Sequence, residues 1–138
     1  MVMSAPRSRE EIRVQGLLPP ISHYTDAVRF GDLLFISGLT PHDTEGRLVG
    51  EDDAAVQAEQ ILRNMGKVLE AAGASFGDVL KVTVFLTDLA DRARINPVRQ
   101  RYFGGTKPAS SLFGVTGLAL PGMKVEIEAI ACIPVRRG

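Results

Sequence analysis

Only one cysteine, Cys132, occurs in the 138 residues, which excludes an intramolecular disulfide, a redox pair and any multi-cysteine metal site. Histidine is nearly as scarce. His23 and His42 are the only two, neither has a second ligand at metal spacing, and no bound metal is expected. Charge of one sign is lacking as well: 16 basic and 16 acidic residues give a formal net charge of zero, where a polyanion-binding chain normally shows a basic surplus. Nucleic acid is not an expected partner. No apolar run approaches the roughly 20 residues that span a bilayer, and the opening MVMSAPRSREEIR lacks the apolar segment of a signal peptide. Both observations predict a cytoplasmic protein without membrane contact. A G-x-S-x-G elbow, a phosphate loop and a G-x-G-x-x-G fingerprint are all missing, so neither a hydrolytic triad nor a nucleotide cofactor is indicated. No cofactor is expected at all.

What is present is ordinary globular material, 45% apolar and 23% charged, in a chain long enough to bury one core without metals or disulfides. Residues 1–11 are polar and proline-bearing and are expected to be a flexible segment ahead of a single domain over residues 12–138. Ala27 to Phe30 and Leu33 to Leu39 read as strands, with Gly31-Asp32 as a two-residue hairpin turn. A weaker strand is placed before them, at Ile12 to Gln15. Ala58, Ile61, Leu62, Met65, Val68, Leu69 and Ala72 recur at helical spacing; Asp52 or Asp53 can cap that helix and Gly73 can end it. Val79 to Leu86 is a β-branched run. Asn96 as N-cap and Pro97 as first helical residue open a second helix to about Phe103.

Two strands close the chain. The stretch KPASSLFGV, residues 107–115, sets two adjacent serines at what reads as a strand mouth, because Pro108 directs the chain into extended geometry. Lys124 to Cys132 is the last strand. The order β-β-β-α-β-α-β-β predicts an α+β sandwich, two helices on one face of a mixed sheet. LLFI at 33–36 and VFL at 84–86 are apolar on both sheet faces, where a water-facing side would alternate with polar residues. The face without helices therefore needs a cover. Copies of the same chain are the simplest supply, which predicts a homo-oligomer.

In KVEIEAIAC, residues 124–132, Val125, Ile127, Ala129 and Ala131 share one face of the strand, while Glu126 and Glu128 share the other. The carboxylates thus point away from the helices. Two readings stay open for them: a solvated strand face, or a general base in a subunit cleft whose pKa is adjusted by partial burial.

Taken together, FGDLLFISGLTP, GRLVG, QAEQILRNMGKVLEAAGASFGDVLKVTVFLTDL, the IN before the second helix with YF at its end, PAS, and LPGMKVEIEAIA resemble the RidA/YjgF family of imine and enamine deaminases from about Gly16 to Ala131. The resemblance implies a chorismate-mutase-like fold, a homotrimer whose sheets form a central barrel, and three small-molecule clefts between subunits. Within the family, the arginine of Pro-Ala-Arg-Ser holds the substrate carboxylate and the first glutamate of the EIE strand positions or activates water. Carried over, the glutamate is Glu126 and the arginine position is Ser110, and these two are the expected catalytic positions. Tyr24, Ser37 and Asn96 carry over as substrate-binding residues; Gly38, Ser111 and His23, their neighbours in sequence, complete the expected set.

Two departures from the family pattern set the expected substrate. Serine replaces the clamping arginine, and Ser22-His23-Tyr24 replaces the family's Gly-Pro-Tyr. The resemblance implies a Rid-type hydrolase that adds water across a C=N bond and releases ammonia, acting on something other than the usual 2-iminoacid, with His23 or an arginine of the second helix taking over any anion. The alternative is a non-catalytic small-molecule-binding or regulatory trimer.

Overall fold

Gly31 sits at a φ of 61°, the left-handed conformation that a tight hairpin demands and glycine adopts without strain. The computed structural model, which describes residues 8–134, places that turn between β2 (Ala27–Phe30) and β3 (Leu33–Leu39), paired antiparallel with Phe30 opposite Leu33. Ahead of them β1 covers Arg9–Ile12. It lies three residues earlier than predicted, because pairing with β2 sets Ile12 opposite Ala27. Of the segment expected to be flexible, residues 9–11 are thus in the sheet and residues 1–7 fall outside the described residues.

The first helix, α1 (Ala54–Ala71), is held at both ends by the residues that the sequence offers. Asp53 caps it, its carboxylate accepting from the Val56 N–H at 3.1 Å. At the other end Gly73 takes a φ of 77°, which lets the Gly73 N–H reach the Glu70 carbonyl and the Ala74 N–H reach the Leu69 carbonyl. The apolar stripe predicted for this helix is buried against the sheet, with Ala58, Ile61, Leu62, Met65, Val68 and Leu69 nearly inaccessible.

The second helix departs from expectation. α2 covers Arg92–Phe103 and Pro97 lies inside it, so Asn96 is not its N-cap. Asp88 accepts from the Ala90 N–H and starts a 3₁₀ turn over Leu89–Asp91 that runs directly into the helix. The added turn buries Ile95 completely and lets Asp91 accept from Arg94 at 2.7 Å. Those gains outweigh the ladder bond that Pro97, having no N–H, withholds from Ala93.

The remaining strands are β4 (Val79–Leu86), β5 (Ala109–Gly114) and β6 (Val125–Cys132). Six strands form one mixed sheet in the order β1-β2-β3-β6-β4-β5, in which only β4 and β5 run parallel. α1 packs on β3 and β6, and α2 packs on α1. Among the described residues nothing covers the opposite face: Phe30, Leu33, Phe35 and Phe113 are exposed there, and Phe85 stacks on Phe113 with ring centroids 6.2 Å apart. No helix of the described residues is long and apolar enough to cross a membrane.

Candidate functional site

Alternation along β6 sends Val125, Ile127, Ala129 and Ala131 into the core and leaves Glu126 half-buried and Glu128 exposed on the uncovered face. The geometry around Glu126 is set by β3. Ile36 pairs with Ala129 and Leu39 with Ile127, so β3 carries one extra residue between them, a bulge containing Ser37 and Gly38. Across this bulge lies the Glu126 carboxylate. A methyl group on Gly38 would stand 2.8 Å from its Cδ and 3.0 Å from Oε2, so any larger residue here would push the carboxylate out of this position. Burial, and secondarily the charge of Glu128, pushes the Glu126 pKa above the usual glutamate value. The acid therefore sits in a restricted, partly dehydrated place.

Ser37 and Tyr24 meet at the end of the sheet next to this bulge. Both line, with Gly38, Asp26 and Asn64, a small cavity of about 30 Å³. The Ser37 hydroxyl donates to the Thr25 carbonyl and its N–H to the Asp26 carbonyl, so Ser37 holds the loop in place and keeps only acceptor capacity for a ligand. Tyr24 is exposed, and its hydroxyl accepts from the Ile21 N–H at 3.3 Å. From behind, Asn64 of α1 donates to the carbonyls of Thr40 and His42 at 3.0 Å each, which ties the chain leaving the bulge to the helix.

The two serines of the 107–115 stretch lie inside β5, and strand alternation sends them to opposite faces. Ser111 faces the uncovered side and accepts from Lys81 Nζ at 3.2 Å. Ser110, opposite the buried Val82, faces the helix side, where Arg99 Nη2 of α2 donates to its hydroxyl at 2.9 Å. Here a wider cleft of about 320 Å³ is lined by Asn96, Arg99, Gln100, Phe103, Lys107 and Ser110 among others, none of them acidic. Asn96, Arg99, Gln100 and Phe103 share one face of α2 at helical spacing. Phe103 is fixed in turn by an edge-to-face contact with Phe76, centroids 5.3 Å apart. Burial lowers the Arg99 pKa.

The predicted residues therefore form two groups. Glu126, Gly38, Ser37 and Tyr24 gather on the uncovered face and the loop beside it; Asn96 and Ser110 gather by α2. His23, next to Tyr24 in the loop, is exposed and lines neither cavity. Through β4, Ser110 is in register with Ala129, three residues from Glu126, so the two positions lie on opposite faces and roughly 14 Å apart, from two strand spacings and three residue rises. One chain alone does not bring them to one molecule. Arg99 and Asn64 were not singled out by residue from sequence: nothing in helical spacing marks which polar side chain of a helix meets a distant strand. Among the described residues no group of three His, Cys, Asp or Glu lies placed to hold a metal.

This arrangement of mixed sheet and paired helices is the fold of solved Rid proteins. RidA from the Antarctic bacterium Psychrobacter sp. PAMC 21119 superposes with a TM-score of 0.84 at 35% identity, covering 90% of this chain and 99% of its own. The chain belongs to the RidA/YjgF family, matching the family described as endoribonuclease L-PSP over residues 16–133. It is 38% identical over 112 residues to a mouse protein named 2-iminobutanoate/2-iminopropanoate deaminase, covering 80% of this chain and 82% of that one. The chloroplastic Reactive Intermediate Deaminase A of Arabidopsis thaliana is 35% identical over 133 residues, 96% of this chain and 70% of its own.

Proposed function

We propose that the protein is a Rid-type deaminase that hydrolyses a small imine or enamine in clefts between the subunits of a homotrimer. The observation that carries this is the Glu126 carboxylate, half-buried over Gly38 with its pKa raised. A carboxylate so placed is a stronger proton acceptor near neutral pH than a solvated one. Water adds to the carbon of C=N while Glu126 takes its proton, the nitrogen is protonated, and collapse of the resulting amino alcohol expels ammonia and leaves a carbonyl compound. The names of the mouse and Arabidopsis relatives support deamination as the reaction class.

The need for a second copy follows from the placement of the two groups. Ser110 lies on β5, an edge strand of the sheet, and Glu126 lies on the face that has no cover. An edge and an uncovered face are the surfaces that neighbouring copies pair or bury. A cleft built from both takes Glu126 and Tyr24 from one copy and Asn96 and Ser110 from the next. Ser110 by itself brings no charge to the substrate, which is the ground for the other reading, a trimer that binds a small molecule without turning it over.

Ammonia release from imines and enamines generated in situ tests the proposal. The wild type is expected to accelerate hydrolysis of at least one of them, and Glu126→Gln to lower turnover at least about tenfold with the assembly intact, because the amide keeps shape but accepts no proton. Equal turnover by the two proteins removes Glu126 from the mechanism. Ligand binding without any turnover by the wild type establishes the binding reading instead.

A further inference from the structure

The family arginine is missing from β5, yet a guanidinium stands beside its position. Arg99 reaches it from one turn beyond Asn96 on α2, and its Nη2 lies 2.9 Å from the Ser110 hydroxyl. The guanidinium carries five N–H donors, of which the described residues engage only the one on Ser110. A half-buried arginine without an anion leaves its desolvation uncompensated. Lys107 adds a second positive charge to the same cleft and no carboxylate lines it. At about 320 Å³ the cleft has room for a small organic acid.

We infer that Arg99, oriented by Ser110 and assisted by Lys107 and Asn96, is the carboxylate clamp of this protein, and that its substrates are small carboxylate-bearing imines. This rests on the deaminase reading above and replaces the sequence-based expectation that loss of the strand arginine moves the substrate away from 2-iminoacids. The clamp has moved from strand to helix. Ser110 then has a defined part: a serine is short enough to leave the space for Arg99, and its hydroxyl accepts from Nη2 while the remaining donors face the cleft. An arginine at that position would meet Arg99 with like charge.

The keto-acid product analogue 2-oxobutanoate serves as a non-reactive probe, with inorganic phosphate and butyramide at equal ionic strength beside it, and binding is read by calorimetry. The wild type is expected to bind 2-oxobutanoate and not butyramide. Arg99→Gln is expected to weaken binding at least about tenfold, Arg99→Lys to fall between because an ammonium lacks the planar fork, and Ser110→Asp to abolish it by pairing with Arg99 in place of the ligand. Glu126→Gln is expected to bind as the wild type does while losing turnover. In steady-state assays of a 2-iminoacid generated in situ, Arg99→Gln raises KM more than it lowers kcat.

Unchanged 2-oxobutanoate binding by Arg99→Gln and Ser110→Asp, both with wild-type melting temperature, overturns the inference. So does phosphate that binds as tightly as the keto acid and displaces it. A carboxylate of a second copy as the true partner of Arg99 shows as dissociation of the assembly on Arg99→Gln, with no keto-acid binding by the wild type, and overturns it too. Full turnover by Glu126→Gln sinks the deaminase mechanism and leaves the binding result to stand alone, so the two failures are distinguishable.

Discussion

The carboxylate of Glu126 occupies the space where a Cβ of residue 38 would lie, 2.8 Å from its Cδ. The proposed catalytic acid and a glycine on the adjacent strand are thus one feature, since the bulge at Ser37–Gly38 opens the room that the acid fills. Gly38→Ala is expected to displace the carboxylate and lower turnover by about tenfold or more, since an ångström of misplacement alone costs up to about a hundredfold. Its melting temperature should change little, because the side chain that must give is half-exposed. Loss of stability equal to the loss of activity would show that Gly38 serves only the fold.

Glu126 also ties stability to pH. Its pKa is raised in the folded state, so the native protein holds this proton to higher pH than the unfolded chain, and stability falls as pH rises from the unfolded value through the folded one. Glu126→Gln removes that titration. The variant should melt higher than the wild type at neutral pH, and the difference should close below about pH 4.3, the ordinary glutamate value. In the wild type the acid limb of kcat/KM should lie above that value. Thermal melts across pH check the first expectation, and a pH–rate profile checks the second.

Gln57 is fully buried, and its amide makes three bonds across the fold: Nε2 donates to the carbonyls of Gly50 and Gly122 at 3.0 and 2.9 Å, and Oε1 accepts from the Lys124 N–H at 2.7 Å. Lys124 immediately precedes β6, so this side chain fixes the start of the strand that carries Glu126. Gln57→Leu keeps the volume and orphans two backbone groups, the Gly122 carbonyl and the Lys124 N–H, while the Gly50 carbonyl still accepts from the Asp53 N–H; each orphan costs about 1–3 kcal/mol when buried unpaired. Urea titration should show a loss of about 2–4 kcal/mol after partial relaxation. A loss below about 0.5 kcal/mol, the range of surface substitutions, would contradict this account.

The uncovered sheet face makes assembly measurable. Light scattering coupled to gel filtration should return about three times the chain mass of 14.9 kDa at micromolar concentration. Phe113 is 52% exposed in the single chain and stacks on Phe85. Phe113→Glu should dissociate the assembly and remove activity together, because a carboxylate on a buried face leaves an unpaired charge. A wild-type monomer would refute both the trimer and the shared cleft.

The sequence by itself determined the features that local backbone chemistry dictates. Gly31 and Gly73 mark the left-handed positions that end a strand and a helix, an aspartate at 52 or 53 marks the cap of α1, which the structure assigns to Asp53, and the period of two in KVEIEAIAC decides which way Glu126 points. These are fixed by the φ/ψ of single residues and by spacing within one element, and so they are readable without knowing what packs where. The tertiary structure alone decided the rest. The local Asn96-Pro97 signal lost to an earlier helix start, because burying Ile95 and pairing Asp91 with Arg94 depend on neighbours that the stretch does not contain. The separation of Ser110 from Glu126 onto opposite faces follows from the register of β5 on β4 and of β4 on β6, which long-range packing sets. Arg99 meets Ser110 for the same reason: which polar side chains of a helix find a distant partner depends on where the strands deliver that partner, and the spacing of residues along the chain carries no record of it.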